Sequence, residues 1–252
     1  MPYDTMRIES IIKKVATAEK LHIDPIFQRL KCFIDPTNAF ATKFDFLRDA
    51  VSPNTPKLLD FGCGRMAHRS RIEGMGYFWT GVDLEVPSDF RGEIKKSDEY
   101  WTYDGRDLPF ADQSYDLVFS SQSFEHVEDP FYSMSEITRV LKPGGKLVGS
   151  VSFLEPYHAY QTFSYTPYGF ALLADRCGLS LKQISPVCDG LQMLFRKLEL
   201  ITGSSDVQEA AAYPSLSFLL GEKYSKLSDQ HKAGLILQFC GQFNFHFERA
   251  VT

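Results

Sequence analysis

The segment that most restricts what this chain can fold into is Lys57 to Gly64. Lys57-Leu58-Leu59-Asp60-Phe61 is a short apolar run of strand length that passes straight into Gly62-Cys63-Gly64. Continuous apolar character marks a strand buried on both faces. Glycines directly after it let the backbone pass close to a ligand where a Cβ would clash. Beyond Gly64 the chain keeps alternating. A short helix ends near Gly74 and Gly76, and Tyr77 to Asp83 reads as a second strand. Tyr100 to Asp104 closes a third strand, and Tyr115 to Ser120 is a fourth. Asp129-Pro130 opens a helix with Met134, Ile137, Val140 and Leu141 inward. Pro143-Gly144-Gly145 then turns the chain into a fifth strand, Lys146 to Phe153. Strands alternating with helices imply βαβ units and a mainly parallel, doubly wound sheet. Residues 85–99 are polar and fit neither period.

The flanks differ from this core. Ile8, Ile11, Ile12 and Val15 follow helical spacing, and a second helix is expected from Thr37 as N-cap, with Phe40, Phe44 and Leu47 on one face. Pro25, Pro36, Pro53 and Pro56 punctuate this stretch. Residues 1–56 therefore read as an N-terminal helical segment. Thr166-Pro167 is an N-cap and N1 pair for a helix ending at Gly178, and a strand is expected near Leu181–Val187. The core is placed at 57–190, and 191–240 reads as a helical insertion. The last segment, 241–252, returns to strand. Phe243, Phe245 and Phe247 alternate strictly with polar residues, so this end is expected back in the sheet as an edge or near-edge antiparallel strand.

Charge and cysteine content narrow the partners. The net charge is −5 and no Lys/Arg cluster stands out, so nucleic acid is not expected. No apolar run approaches the ~20 residues of a membrane span, and no signal-peptide pattern opens the chain. The five cysteines are odd in number and widely spaced, with no C-x-x-C, as in reduced cytoplasmic proteins. No His/Asp/Glu/Cys spacing suggests a metal site.

Ligands of open α/β sheets bind outside the carboxyl ends of the strands. Gly62 and Gly64 lie there, as does Asp83, some 20 residues on, where an acid can accept the two hydroxyls of a ribose. Asp104 and Gly105 follow the third strand, placed to flank an adenine edge. Gly62-x-Gly64-x-x-Ala67 also satisfies the loose nicotinamide-dinucleotide pattern. Asp60 speaks against that reading, because a carboxylate there would repel a pyrophosphate and would suit a cationic ligand. It is also a residue type that caps helices and makes turns.

Four segments in order, LLDFGCG (58–64), GVDLE (81–85), DGRDLPFADQSYDLVFSSQSFEHVEDP (104–130) and LKPGGKLV (141–148), together resemble the class I S-adenosylmethionine (SAM)-dependent methyltransferases of the type 11 group. The resemblance covers roughly residues 57–180. It implies a Rossmann-like seven-stranded sheet with an antiparallel last strand beside the fifth. It also implies SAM as cofactor, with S-adenosylhomocysteine (SAH) as product. Gly62, Cys63 and Gly64 would contact the methionine part, Asp83 with Leu84 the ribose, and Asp104 the adenine amino group. Ser121 and Gln122 would line the site after the fourth strand. The family often has a glycine where this chain has Met66. A subset that modifies sugars and cell-surface glycan precursors also lacks it, and that subset is further similar in SFLEPYHAYQTFSYTPYGF (152–170).

On the acceptor side two histidines fall in loops at the correct edge: His126 after the fourth strand and His158 after the fifth. Either is a candidate base. Tyr157, Tyr160, Tyr165 and Tyr168 surround His158 and suit a hydroxylated ring, or else ordinary packing. The expectation is methyl transfer to a small-molecule acceptor, favouring a hydroxyl of a sugar, glycan precursor or related metabolite. The competing reading is a SAM-binding regulatory or partner subunit without transfer activity. The helical insertion is free to cap the pocket or to make a homodimer contact.

Overall fold

The computed structural model describes residues 10, 13, 14, 29–51, 56–85, 99–202 and 215–251. Of the helix expected around Ile8–Val15, Ser10, Lys13 and Lys14 are helical, while Ile8, Ile11, Ile12 and Val15, like the polar stretch 86–98, lie outside the described residues. Seven strands form one sheet: β1 (Lys57–Phe61), β2 (Phe78–Leu84), β3 (Tyr100–Tyr103), β4 (Tyr115–Ser121), β5 (Leu141–Ser152), β6 (Leu179–Pro186) and β7 (Gln242–Arg249). Their spatial order is β3-β2-β1-β4-β5-β7-β6. All run in one sense except β7, which is antiparallel to both β5 and β6. The order reverses direction at β1 and β4, the switch point at which such sheets open a ligand crevice.

Two helical layers cover the sheet. The first face carries α1 (Lys43–Ala50) and α2 (Arg69–Glu73). Their Phe44, Leu47 and Ile72 pack on Leu58, Phe119 and Val148 of the strands. The second face carries α3 (Pro130–Val140) and α4 (Pro167–Arg176), whose Met134, Ile137, Phe170 and Ala174 pack on Leu59, Val118, Leu147 and Phe245. Neighbours such as Leu58 and Leu59 thus serve opposite cores, as the two-residue strand period dictates. Four further helices among the described residues are α5 (Gly190–Thr202), α6 (Leu216–Leu220), α7 (Glu222–Ser225) and α8 (Asp229–Ile236).

β7 behaves as its alternation requires. Phe243, Phe245 and Phe247 are buried on one face, around the ring of Phe170 at centroid distances of 6.1, 4.9 and 5.9 Å. It sits one place in from the edge, between β5 and β6. Both α3 and α4 start with a side-chain cap followed by proline. Asp129 accepts from Tyr132 N, and Thr166 from Gly169 N.

Two local expectations change. Helix α1 starts later than Thr37, because Thr37 is held in a turn by Asp35 and the cap is Thr42, which forms a reciprocal capping box with Asp45. Pro143-Gly144-Gly145 does not end the preceding segment. It lies inside β5 as a bulge, where the register jumps from Tyr115↔Leu141 to Leu117↔Lys146. Gly144 there has φ +72°.

Candidate active site

The loop after β1 is shaped by its backbone. Gly62 and Gly64 have φ of +72° and +53°, and Gly62 N and Cys63 N both donate to Val82 O, tying the loop to β2. A Cβ on Gly62 would stand 2.3 Å from Ser123 Oγ, so only glycine passes there without displacing the next strand's loop. Asp83 ends β2 almost fully buried. One oxygen accepts from Gly64 N at 2.6 Å and the other from Leu84 N at 2.7 Å. These bonds fix the carboxylate, and a carboxylate has about four lone-pair sites, so acceptor capacity remains for a ligand.

A cleft of about 690 Å³ opens at this edge of the sheet, lined by Gly62, Gly64, Asp83, Leu84, Asp104, Gly105, Gln122 and His126. That volume is ordinary for a cofactor-sized site. Arg65, Glu85, Tyr103, Arg106 and Ser123 also line it; Glu85, Arg106 and Ser123 lie inside the motif segments, where nothing singles them out. A second hollow, of about 710 Å³, lies at the opposite edge against Lys57, Phe78 and Tyr115, where strands of this topology begin and ligands are not held.

Three of the expected cofactor residues stand behind the cleft wall rather than in it. Asp60 is buried and accepts from Trp79 Nε1 at 3.1 Å. Burial pushes its pKa up to about 7; the Trp79 bond and Lys43 oppose this and Asp83 reinforces it. Cys63 is buried on the first face, its sulfur close to Gly81. Ser121 Oγ accepts from Lys43 Nζ at 2.5 Å, and Ser150 Oγ lies 3.3 Å from the same nitrogen. Lys43 thus brings a cation from α1 to the strand ends. Burial depresses its pKa, while Asp60 and Glu125 pull it back up. Lys43 carries no motif signal, since nothing in the sequence aligns α1 with β4 and β5.

Backbone strain gathers at this edge. Met66, Gln122, Ala159 and Tyr160 are non-glycine residues with φ of 58°, 57°, 38° and 61°. Left-handed conformations of this kind cost of order 1–3 kcal/mol each and persist where the surroundings enforce them. Met66, where the resemblance leads one to expect a glycine, keeps the backbone conformation that glycine adopts freely. Gln122 N donates to Ser150 O, and its amide lies 3.2 Å from both Ser150 Oγ and Ser152 Oγ.

The residues expected on the acceptor side are brought together by the loop after β5. Thr162 N and Phe163 N donate to Glu125 O, Thr162 Oγ1 to Val127 O, and Tyr165 Oη to Phe124 O. This lacing lays the loop across the 3₁₀ turn Phe124–His126 and sets the His158 ring against that of His126, with centroids 5.4 Å apart and planes nearly perpendicular. Burial first, and then the neighbouring His158, hold the His126 pKa below its usual value. Beneath them Glu125 is fully buried, and burial raises its pKa to about 7, with Glu155 adding to this and Ser152 and His158 opposing. Ser152 Oγ stands 3.0 Å from Glu125 Oε1 and 2.7 Å from Glu155 Oε2. Spacing in the sequence gives no sign of this Glu125–His126–His158 group, because 32 residues separate its two histidines (158 − 126) and only the fold closes that gap.

The four tyrosines part company. Tyr157 and Tyr160 are 73% exposed and Tyr168 is 45% exposed. Tyr165 is buried, with its ring 5.1 Å from that of Phe170, so it belongs to the core and not to a ligand wall.

The glycine turn, the fixed acid of β2 and the cleft at the switch point suit an adenosine-bearing cationic cofactor. Residues 59–149 match the family model described as a methyltransferase domain. This segment is similar to methyltransferase domains, and the strand order with its antiparallel β7 is that of the Rossmann-like class I methyltransferase fold. An uncharacterized methyltransferase of Mycobacterium sp. (strain KMS) is 32% identical over 128 residues, which are 50% of this chain and 51% of that one. The 27-O-demethylrifamycin SV methyltransferase of Amycolatopsis mediterranei is 29% identical over 99 residues, 36% of each chain. The chain therefore spans about half the length of the curated relatives it matches, or less. Among solved structures, a SAM-dependent methyltransferase from Mesorhizobium loti superposes with a TM-score of 0.51 at 17% identity, covering 83% of this chain and 98% of that one, which shows the shared fold. SAM fits the cleft. Gly62 and Gly64 would pass beside it, Asp83 would accept from its ribose, and Asp104 and Gly105 would border its adenine. No helix among the described residues is long and apolar enough to cross a membrane.

Proposed function

We propose that this chain transfers the methyl group of SAM to a hydroxyl of a small acceptor, a sugar, glycan precursor or related metabolite. The observation that carries the reading is that His126 lines the cofactor cleft while its ring stands against His158, so the cofactor wall and the acceptor loop meet at one pair of imidazoles. Bound SAM supplies an electrophilic methyl carbon. The chain's part is to hold an oxygen in line with it and to deal with that oxygen's proton. His158 takes this proton or orients the group that bears it, and His126, whose pKa burial lowers, is the second candidate. Tyr157 and Tyr160 on the loop after β5, and Tyr168 at the start of α4, offer exposed rings and hydroxyls, which suits a hydroxylated ring. A relative whose name specifies an O-demethylated substrate supports oxygen as the acceptor atom.

The test is SAH formation from SAM with a panel of hydroxylated sugars and a mixed metabolite extract. His158→Ala should lower turnover by at least about tenfold, with SAM affinity nearly unchanged. Tight SAM binding with no acceptor-dependent SAH from any source would favour a non-catalytic partner subunit. Equal losses of affinity and turnover would make His158 a packing residue.

A further inference from the structure

We propose that Glu125, His126 and His158 form a binding site for a divalent first-row transition metal at the acceptor end of the cleft. The inference rests on the methyl-transfer reading above and makes it more definite: His158 would orient the acceptor through a cation and would not take its proton directly.

Three features carry it. One carboxylate oxygen of Glu125 and one ring nitrogen from each histidine all lie within 4.8 Å of one another, near enough for small side-chain rotations to place them around one ion. The Glu125 side chain is fully buried, and while its Oε1 is engaged by Ser152, its Oε2 meets no donor among the described residues. A buried acceptor left unsatisfied is destabilising, and a cation in this group would satisfy it. Finally, His158 Nδ1 lies 3.2 Å from Pro156 O. A carbonyl only accepts, so Nδ1 carries the proton and Nε2 keeps its lone pair. Metal-bound histidines are oriented in this way by a backbone carbonyl.

The donor set names the class of ion. Two imidazoles and one carboxylate suit zinc, iron(II), cobalt(II) or manganese(II), whereas magnesium and calcium prefer all-oxygen shells. Three protein ligands leave at least one position open. With His126 on the cleft wall, a hydroxyl at that position would be close to the cofactor side. Coordination would lower its pKa and let its proton pass to water. The site is also braced. The bonds from Thr162 and Phe163 to Glu125 O and from Tyr165 to Phe124 O hold the His158 loop against the Glu125 turn whether or not an ion is present.

The experiment uses the full chain stripped with a chelator, titrated with Zn²⁺ and with Co²⁺ by calorimetry, with SAH binding measured on the same samples. One ion per chain is expected in the wild type. Affinity should be at least tenfold weaker in His158→Ala and in Glu125→Gln, with SAH binding kept in His158→Ala. His158 sits on a half-exposed loop, so that variant remains informative if Glu125→Gln fails to fold. A wild type that binds SAH but takes up no stoichiometric metal overturns the metal site and leaves methyl transfer standing. Metal uptake of equal affinity in wild type and His158→Ala places the ion elsewhere and also overturns it. Metal uptake that depends on His158 in a chain that does not bind SAH supports the site while removing the methyltransferase reading.

Discussion

On the β1–β2 side the lining of the cleft is shaped largely by backbone: the left-handed turns at Gly62, Gly64 and Gly105, and the Gly64 N–H held by Asp83. On the β5–β7 side the cleft is backed by side chains drawn from separate elements. Glu125 and His126 come from the turn after β4, Ser152 from the end of β5, His158 from the loop beyond it, and Gln242 from β7, which donates to Glu155 at 2.7 Å. The first wall needs only a few residues close in sequence to take an unusual conformation. The second needs distant segments to be brought into register, so its geometry depends on the core beneath it. Phe170 is central to that core, with its ring against Phe124, Phe243, Phe245 and Phe247.

Phe170→Ala should therefore break the second wall first. The expected loss is about 3–5 kcal/mol in denaturant unfolding, the usual range for truncating a buried phenylalanine. A loss under about 1 kcal/mol would show that the β7 aromatics hold together without it. SAM affinity, set on the other side, should fall less than acceptor turnover in whatever fraction remains folded.

The two sides should also answer pH with opposite signs. His246 on β7 is half-buried; burial, then Lys146 and Lys182, push its pKa down to about 4 from 6.5. The unfolded chain binds that proton more readily, so stability is full above about pH 6.5 and falls as pH drops towards 4. The loss is at most roughly 3 kcal/mol at about 1.4 kcal/mol per pH unit. Asp60 under the glycine turn has its pKa raised, so its contribution is full below 3.8 and is lost as pH rises through about 7. His246→Gln should flatten the acid limb of a thermal-stability profile and Asp60→Asn the limb approaching neutrality. An acid limb of unchanged slope in His246→Gln would remove the assignment.

Asp83→Ala tests the first wall. Hydrogen bonds to a charged acceptor are worth about 1.5–3 kcal/mol, so SAM and SAH should both bind roughly tenfold to a hundredfold more weakly. Unchanged calorimetric affinity would mean that the carboxylate serves only Gly64 N and Leu84 N. The smallest effect is expected at Thr42→Ala, which removes the capping box of α1 and should cost about 1 kcal/mol. If Lys43, the first residue of that helix, matters to the site, this substitution should also disturb turnover more than its stability cost alone explains.

The contrast between the walls also explains what is legible in the sequence. Lys57–Phe61, the glycines after it, Asp83 and the caps at Asp129 and Thr166 are local signals, and each sits where its period or cap type places it. Thr37 misleads because threonine caps turns as well as helices, and Asp35 makes the turn. Pro143-Gly144-Gly145 reads as a stop, yet a bulge lets the strand continue through the same residues. Asp60 reads as facing the ligand. A strand residue points to one face or the other, and here it meets Trp79, on a neighbouring strand whose register is not written in β1.

What the sequence determined by itself was the alternating architecture, the glycine turn after β1 and the aromatic stripe of β7. These arise from two-residue and 3.6-residue periods, glycine's freedom at positive φ and the preferences of capping residues, all of which act over a few neighbours. What only the tertiary structure decided was the company each polar side chain keeps. It set Lys43 against Ser121, put Tyr165 in the core and not on the acceptor wall, and gathered Glu125, His126 and His158 into one group. Such contacts depend on how strands 30 or more residues apart pair and on which loop is laced to which turn, and their free energy comes from burial and hydrogen bonding that no short window of sequence contains.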